Sequence, residues 1–511
     1  MKKVISMMLS TALICSSLVL PQMSARADEV VFKHQNVVGS QTCYADDTAE
    51  KTITEIPDVI QGIRINRPVF RAEGLTASKS YTARQELKDG TVIKSDTVTA
   101  DASGKIEFKH ARNCEMIEIL DGSAVVASLG TEKKYTNGVM ITKAPMSWQV
   151  YQRDGENKAE ITIKGEVDDA TSVTVAISGD RVDQDNVTIE NKQFTYTKTL
   201  GTGTYNISVT SDKGTVAVYE NVAVGDVWVA AGQSNMTDMG AITDGYNPET
   251  SDPIDDNMHI IHAENVTWQK MQHPAGEGRF FKTGVRTSPV TSFAREIAAK
   301  ENVPVGIVQS SVGGTNIYQW IEGVRDSDEN SGYLIEALKS CFDKMSSHNV
   351  KGILWYQGCN DAISETYAYA YKDLQQKLFT EMRTFFGENT PIITTQINDA
   401  NQDSTSQLGY YDAWSFVKDI QRQNPDLYEN VYVIGTSDLE LGDTIHNSAS
   451  ENLKVGSSWA KVAKNVVYGD TTVKYGQPTI DTAVVTGKKE ITLTFKNTEG
   501  LKAKTGISVS V

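Results

Sequence analysis

The spacing of hydrophobic positions changes character along the chain. Residues 28–145 carry short runs rich in Val, Thr and Ile, such as Lys105–His110 and Ala124–Leu129, between Asp-Gly, Ser-Gly and Asn-Gly turns. Runs of that length bounded by turn residues predict strands. No helical period accompanies them, so this segment is expected to form an all-β sandwich, whose role the sequence does not disclose. Residues 146–222 alternate more cleanly in Ala159–Lys164, Ser172–Ile177 and Thr204–Val209, with turns expected at Gly165, Gly179 and Gly214. A second, smaller β-sandwich of about seven short strands is expected there.

Between residues 223 and 468 the pattern switches. Val227–Ala231, Val305–Gln309, Ile353–Gln357, Ile392–Gln396 and Val431–Thr436 are short and almost continuously apolar, as strands buried on both faces must be. Helical periods lie between them. Tyr367, Tyr371, Leu374, Leu378, Met382 and Phe385 step by 4, 3, 4, 4 and 3, which is one face of an amphipathic helix. Leu334, Leu338, Cys341 and Met345 do the same before the third run. Alternating βα units predict an α/β domain: a five-stranded parallel sheet with helices on both faces. Residues 469–511 return to strand character, as in Glu490–Phe495.

The first 27 residues stand apart. Lys2 and Lys3 precede an apolar run from Val4 to Leu20, and Ala25-Arg26-Ala27 offers small residues around a cleavage point. This predicts a secretory signal peptide cut after Ala27 and a soluble, exported mature protein, secreted or periplasmic. No other stretch approaches the ~20 apolar residues of a membrane span. Asp+Glu 65 exceed Lys+Arg 49, for a formal net charge of −16. An acidic surface repels phosphate backbones and anionic lipids, so neither nucleic acid nor a membrane is an expected partner. Cys43, Cys114, Cys341 and Cys359 remain after processing. Export permits disulfides, and Cys43 with Cys114 is the preferred pair, while Cys341 reads as a buried free thiol. No metal is expected: there is no CxxC, and His259 and His262 read as strand residues three apart, on opposite faces.

In parallel sheets, ligands bind outside the carboxyl ends of the strands. Those ends carry Gly232–Met236, Ser311–Asn316, Gly358–Asp361 and Asp443–His446. Acyl transfer needs a nucleophile, a base, an orienting group and donors for the oxyanion. Ser234 can be the nucleophile, His446 the base, and Asp443 the group that holds its tautomer. The backbone N–H groups of Ser234 and Gly313, with the Asn360 side-chain amide, can form the oxyanion hole. No G-x-S-x-G surrounds Ser234, so the α/β-hydrolase nucleophile elbow is absent.

GQSNM, GGT, GxND and DxxH, in this order, resemble the SGNH hydrolase superfamily. More narrowly, GDVWVAAGQSNM (Gly225–Met236) resembles the sialate O-acetylesterase group and related carbohydrate acetylesterases. Phe293–Ile297, Val303–Ile307, GGTNIYQW (Gly313–Trp320) and LWYQG (Leu354–Gly358) add to it. The resemblance implies a flavodoxin-like three-layer fold and a serine esterase without cofactor. Its expected partner is an acetylated glycan or free O-acetyl sialic acid, with acetylated xylan or another polysaccharide as the alternative. It assigns Ser234, His446 and Asp443 to catalysis and Gly313 and Asn360 to the oxyanion hole. The third block departs from the group: Gln357-Gly-Cys-Asn-Asp361 has Cys359 where an acid is usual.

Gln233, Gln357 and Trp320 are the expected substrate-binding residues. For Trp320, Trp355 and Tyr356, stacking on sugar rings competes with packing in the core. Arg279, Arg286 and Arg325 are candidates for gripping a sialic acid carboxylate. A non-catalytic glycan-binding protein is the reading from a different class, since β-sandwich modules often bind sugars.

Overall fold

The computed structural model describes residues 31–497, apart from 39–40, 47–58, 62–63, 67–68, 110, 112–113, 131–133, 241–245, 264, 276–286, 325–330, 346, 401–410 and 477. The expected signal peptide, and Arg279, Arg286 and Arg325, lie outside the described residues. Among these residues no helix is long and apolar enough to cross a membrane.

The first part contains two four-stranded sheets. One holds Gln41–Asp46, Val31–Val38, Val69–Glu73 and Ile106–Lys109; the other holds Ala124–Gly130, Met116–Asp121, Ser80–Glu86 and Val92–Thr99. Phe70, Ile106 and Phe108 from the first and Ala83, Ile117 and Ile119 from the second meet in one core. Cys114 is a buried free thiol in it, donating to the Met116 carbonyl at 3.2 Å. The expected pairing with Cys43 is therefore not made.

The next core already takes in Val139, so it starts before the expected boundary at residue 146. It is shared by a three-stranded sheet and by strands around Val173–Gly179 and Gly203–Ser211. Its last strand, β1 (Gly214–Gly232), does not stop at residue 222. Its first half pairs antiparallel with Gly203–Ser211, and its second half enters the parallel sheet. The two β-rich and α/β parts thus share one strand rather than a linker.

The parallel sheet is larger than the five strands expected. Its strands are β1, β2 (Met258–His262), β3 (Asn265–Lys270), β4 (Val305–Ser311), β5 (Gly352–Tyr356), β6 (Ile392–Thr395) and β7 (Val431–Ile434). They lie in the order β3-β2-β4-β1-β5-β6-β7, and only β3 runs antiparallel to its neighbour. Without the β2–β3 hairpin the order is that of a flavodoxin-like sheet, with the switch point beside β1. Every residue of β5 and β6 is buried, which is why their sequences run apolar without alternation.

Helices α1 (Val290–Glu301), α2 (Tyr333–Met345), α3 (Glu365–Phe386), α4 (Tyr411–Arg422) and α5 (Ala449–Val466) flank the sheet. Trp228 meets Phe293 of α1 edge-on and Tyr356 meets Trp459 of α5, so α1 and α5 cover one face. Gly456 lets them cross closely: a Cβ there would lie 2.1 Å from the Pro289 carbonyl oxygen. On the other face Trp355 packs edge-on against Trp320 at 5.2 Å between ring centres. Helix α3 buries Tyr371, Leu378 and Met382, as its period predicts. Cys341 is buried on α2, as expected.

Candidate active site

The turn after β1 is set by how closely β1 approaches β5. Gly232 has φ +148°, and a Cβ there would stand 2.1 Å from the Tyr356 carbonyl oxygen, so glycine alone fits. The Gln233 N–H donates to that same oxygen at 3.0 Å, and the Met236 N–H closes the turn onto the Gln233 carbonyl at 2.8 Å. Thr237 Oγ1 donates to the Ser234 carbonyl at 2.7 Å. Ser234 is thereby held at the sheet's carboxyl rim.

His446 reaches it from the loop beyond β7. Ser234 Oγ lies 2.9 Å from His446 Nε2, and His446 Nδ1 lies 2.7 Å from Asp443 Oδ2. An ionised carboxylate only accepts, so the imidazole proton belongs on Nδ1 and Nε2 is left to accept from the serine hydroxyl. Asp443 Oδ1 also accepts from the N–H groups of Ile445 at 2.9 Å and His446 at 2.8 Å. Burial pushes the Asp443 carboxyl upward, but the His446 ring and these backbone donors outweigh it and hold it at about 2. Asn235 fastens the two loops together: its Nδ2 donates to the Ile445 carbonyl at 3.1 Å, and its Oδ1 accepts from the Asn447 N–H at 3.2 Å.

The loop after β4 also reaches the serine. A Cβ at Gly313 would lie 3.5 Å from Ser234 Cβ, which places this backbone against the nucleophile. Gly314, with φ +71°, turns the loop there. Neither the Ser234 nor the Gly313 N–H has a partner among the described residues. The Asn360 backbone is fixed by its N–H, which donates to Gln233 Oε1 at 3.3 Å, and the Gly358 N–H shares that acceptor at 2.9 Å. Three strand ends therefore bring Ser234, Gly313 and Asn360 together.

The expected substrate-binding residues are not where a substrate could touch them. Trp320 is wholly buried behind Trp355, so core packing decides its position. Gln357 is wholly buried too, donating to the Thr315 carbonyl at 3.0 Å and to Asp361. Gln233 is buried as the brace just described. Cys359, in the place of an acid, is a buried thiol beside Asn235, pushed up by burial to about 12. Sequence reasoning passed over Asn235, Asn316 and Asp361, although all three stand inside the quoted motifs. It had no signal for Asn398, which donates to Asn447 Oδ1 at 2.8 Å from the loop after β6.

Asp361 is wholly buried beneath this rim. Burial pushes its carboxyl up to about 7, against hydrogen bonds from Gln357, the Ile317 N–H and Asn316 that favour the anion. Its folded value thus exceeds the ~3.9 of a free aspartate. Between those values the folded protein binds more protons than the unfolded chain, so stability falls as pH rises through that window. Asp361→Asn has no proton to exchange. Urea midpoints measured from about pH 4 to 7 should decline more steeply in the wild type than in this variant. Equal slopes would contradict the assignment.

Residues 224–465 match the model of the carbohydrate esterase, sialic acid-specific acetylesterase family. The SGNH and sialate O-acetylesterase resemblance read from the sequence agrees with this match over the α/β part. A carbohydrate acetylesterase from Xanthomonas citri is similar in structure, at 23% identity and a TM-score of 0.50, covering 69% of this chain and 81% of its own. An Arabidopsis thaliana protein matches at 20% identity and a TM-score of 0.39, over 48% of this chain and 99% of that one. NanS matches at 12% identity and a TM-score of 0.32, over 46% and 95%. No curated protein matches the sequence.

Proposed function

We propose that this protein is an exported serine esterase that removes O-acetyl groups from carbohydrates, with O-acetylated sialic acids as its substrates. The observation that carries the reading is the hydrogen-bonded series Ser234–His446–Asp443. It stands beside two backbone N–H groups that have no partner among the described residues.

The chemistry follows from those atoms. Ser234 Oγ bonds to the acetyl carbonyl carbon as its proton passes to His446 Nε2. The carbonyl oxygen becomes an anion facing the Ser234 and Gly313 N–H groups and the Asn360 amide. As the tetrahedral species collapses, the bond from carbon to the sugar oxygen breaks and His446 returns the proton to that oxygen. Water then gives a proton to Nε2 and attacks the acetyl-serine, releasing acetate and restoring Ser234. Asp443 stabilises the imidazolium in both halves without itself taking the proton.

The family description favours sialic acid as the sugar, and acetylated xylan is the runner-up within the same chemistry. Acetate release from O-acetyl sialosides and from acetylated xylan, with an aryl acetate as control, tests both. Turnover of sialosides over xylan is expected. Turnover of xylan alone would reassign the sugar. Glycan binding with no turnover of any ester would replace the esterase by the binding-protein reading.

A further inference from the structure

We propose that Asp361 and Asn316 are positioning residues that set which way round the Asn360 amide lies, so that it offers N–H rather than C=O to the acyl oxygen. The inference rests on the esterase reading above and deepens it.

An asparagine side chain is nearly symmetrical in shape, with a donor at one end and an acceptor at the other. Its hydrogen-bond partners, not its volume, decide its orientation. Asn360 Nδ2 donates to Asn316 Oδ1 at 2.5 Å. Asn316 Nδ2 in turn faces Asp361 Oδ1 at 3.4 Å. The hydrogen bonds to Asp361 all come from donors: the Ile317 N–H at 3.2 Å to each carboxylate oxygen, and the amide nitrogens of Gln357 and Asn316. A carboxylate in that ring can only accept.

The direction then propagates. Asn316 must turn its nitrogen to Asp361, which leaves its oxygen for Asn360. Asn360 must answer with its nitrogen, whose second hydrogen has no other partner among the described residues. Reversing Asn316 would set its oxygen against the carboxylate and its nitrogen against the Asn360 nitrogen. Reversing Asn360 as well would present a carbonyl to a developing anion. A fixed main chain keeps the series in place: the Asn316 N–H donates to Gln319 Oε1 at 2.8 Å, and the Asn360 N–H is held by Gln233. A buried carboxylate is costly to keep, and these contacts give it work two side chains away from the reacting oxygen.

A double-mutant cycle separates this role from mere packing. At a pH above the Asp361 midpoint of about 7, Asn360→Ala should lose ~10²–10³ in kcat, as for other oxyanion donors. Asn316→Ala should lose roughly 10-fold to 100-fold in kcat with KM little changed, because the affected donor acts on the transition state. The double variant should be about as active as Asn360→Ala alone, whereas independent effects would multiply. Multiplying losses, or full kcat in Asn316→Ala, would overturn the proposal. A second readout needs no turnover. The side-chain amide NMR signal of Asn360, assigned by its loss in Asn360→Ala, should shift and exchange faster with water in Asn316→Ala. An unmoved signal would overturn the relay, while a wild type without esterase activity would overturn only the function it serves.

Discussion

Ser234→Ala is expected to leave a folded protein that has lost acetate release by about 10⁴-fold or more, the scale seen when a hydrolase loses its serine nucleophile. The substitution removes one oxygen and nothing that holds the turn together. The Gln233 N–H to Tyr356, the Met236 N–H to Gln233 and the Thr237 hydroxyl to the Ser234 carbonyl all remain. The atom removed is the one that sits 2.9 Å from His446 Nε2. His446 keeps its Asp443 partner and can still activate a water, and the Ser234 N–H survives in alanine, so a small residual rate is expected. Melting temperature should stay close to that of the wild type, since the one group that loses its partner, His446 Nε2, can take a water in place of the hydroxyl. Turnover of an aryl acetate at the wild-type rate would remove Ser234 from the mechanism and the mechanism from the protein.

How much of this was readable beforehand depended on whether the deciding contacts were local. The runs at Ile353–Gln357 and Ile392–Gln396 announced buried strands because both faces of each must be apolar. Residues 259–262 also read as a strand, yet nothing local said that it would join the sheet beside β4 as a further parallel member. That pairing is settled by residues more than forty positions away. The boundary near residue 222 was visible as a change of pattern, but a change of partner leaves no mark within a strand that simply continues. At the rim, the meeting of Ser234, His446 and Asp443 was anticipated from the side chains acyl transfer can use and from motif order, and the three are hydrogen-bonded in series. Trp320, Gln357 and Gln233 were misjudged for one shared reason. Residues next to catalytic groups in sequence can point to solvent or into the protein, and only packing against Trp355, Asp361 and Gly358 reveals that these point inward.

Arg153→Ala is expected to cost about 3 kcal/mol of stability, at the lower end of the ~3–5 kcal/mol for breaking a buried ion pair. Asp226 is wholly buried where β1 enters the parallel sheet. Arg153 grips it with two bonds, Nε to Oδ1 at 2.9 Å and Nη2 to Oδ2 at 2.8 Å, and also reaches Glu301 at 3.1 Å. It follows a short strand, Val150–Gln152, that pairs with β1 at Ala223–Gly225, so the pair clamps the β-rich part to the sheet it feeds. Without the guanidinium, Asp226 keeps only neutral donors among the described residues, the Tyr468 hydroxyl at 3.0 Å and the Gln152 amide at 3.3 Å. These soften the penalty but do not neutralise the charge. The urea midpoint should fall with its slope unchanged, and added salt should change the loss little, because the pair is shielded from solvent. The esterase rate under folding conditions should hold, since Asp226 and Gly232 stand at opposite ends of the same stretch of strand, roughly 20 Å apart at ~3.3 Å per residue. A loss below ~1 kcal/mol, the range of exposed pairs, would show that water reaches Asp226 and that the shared strand, rather than this ion pair, holds the two parts together.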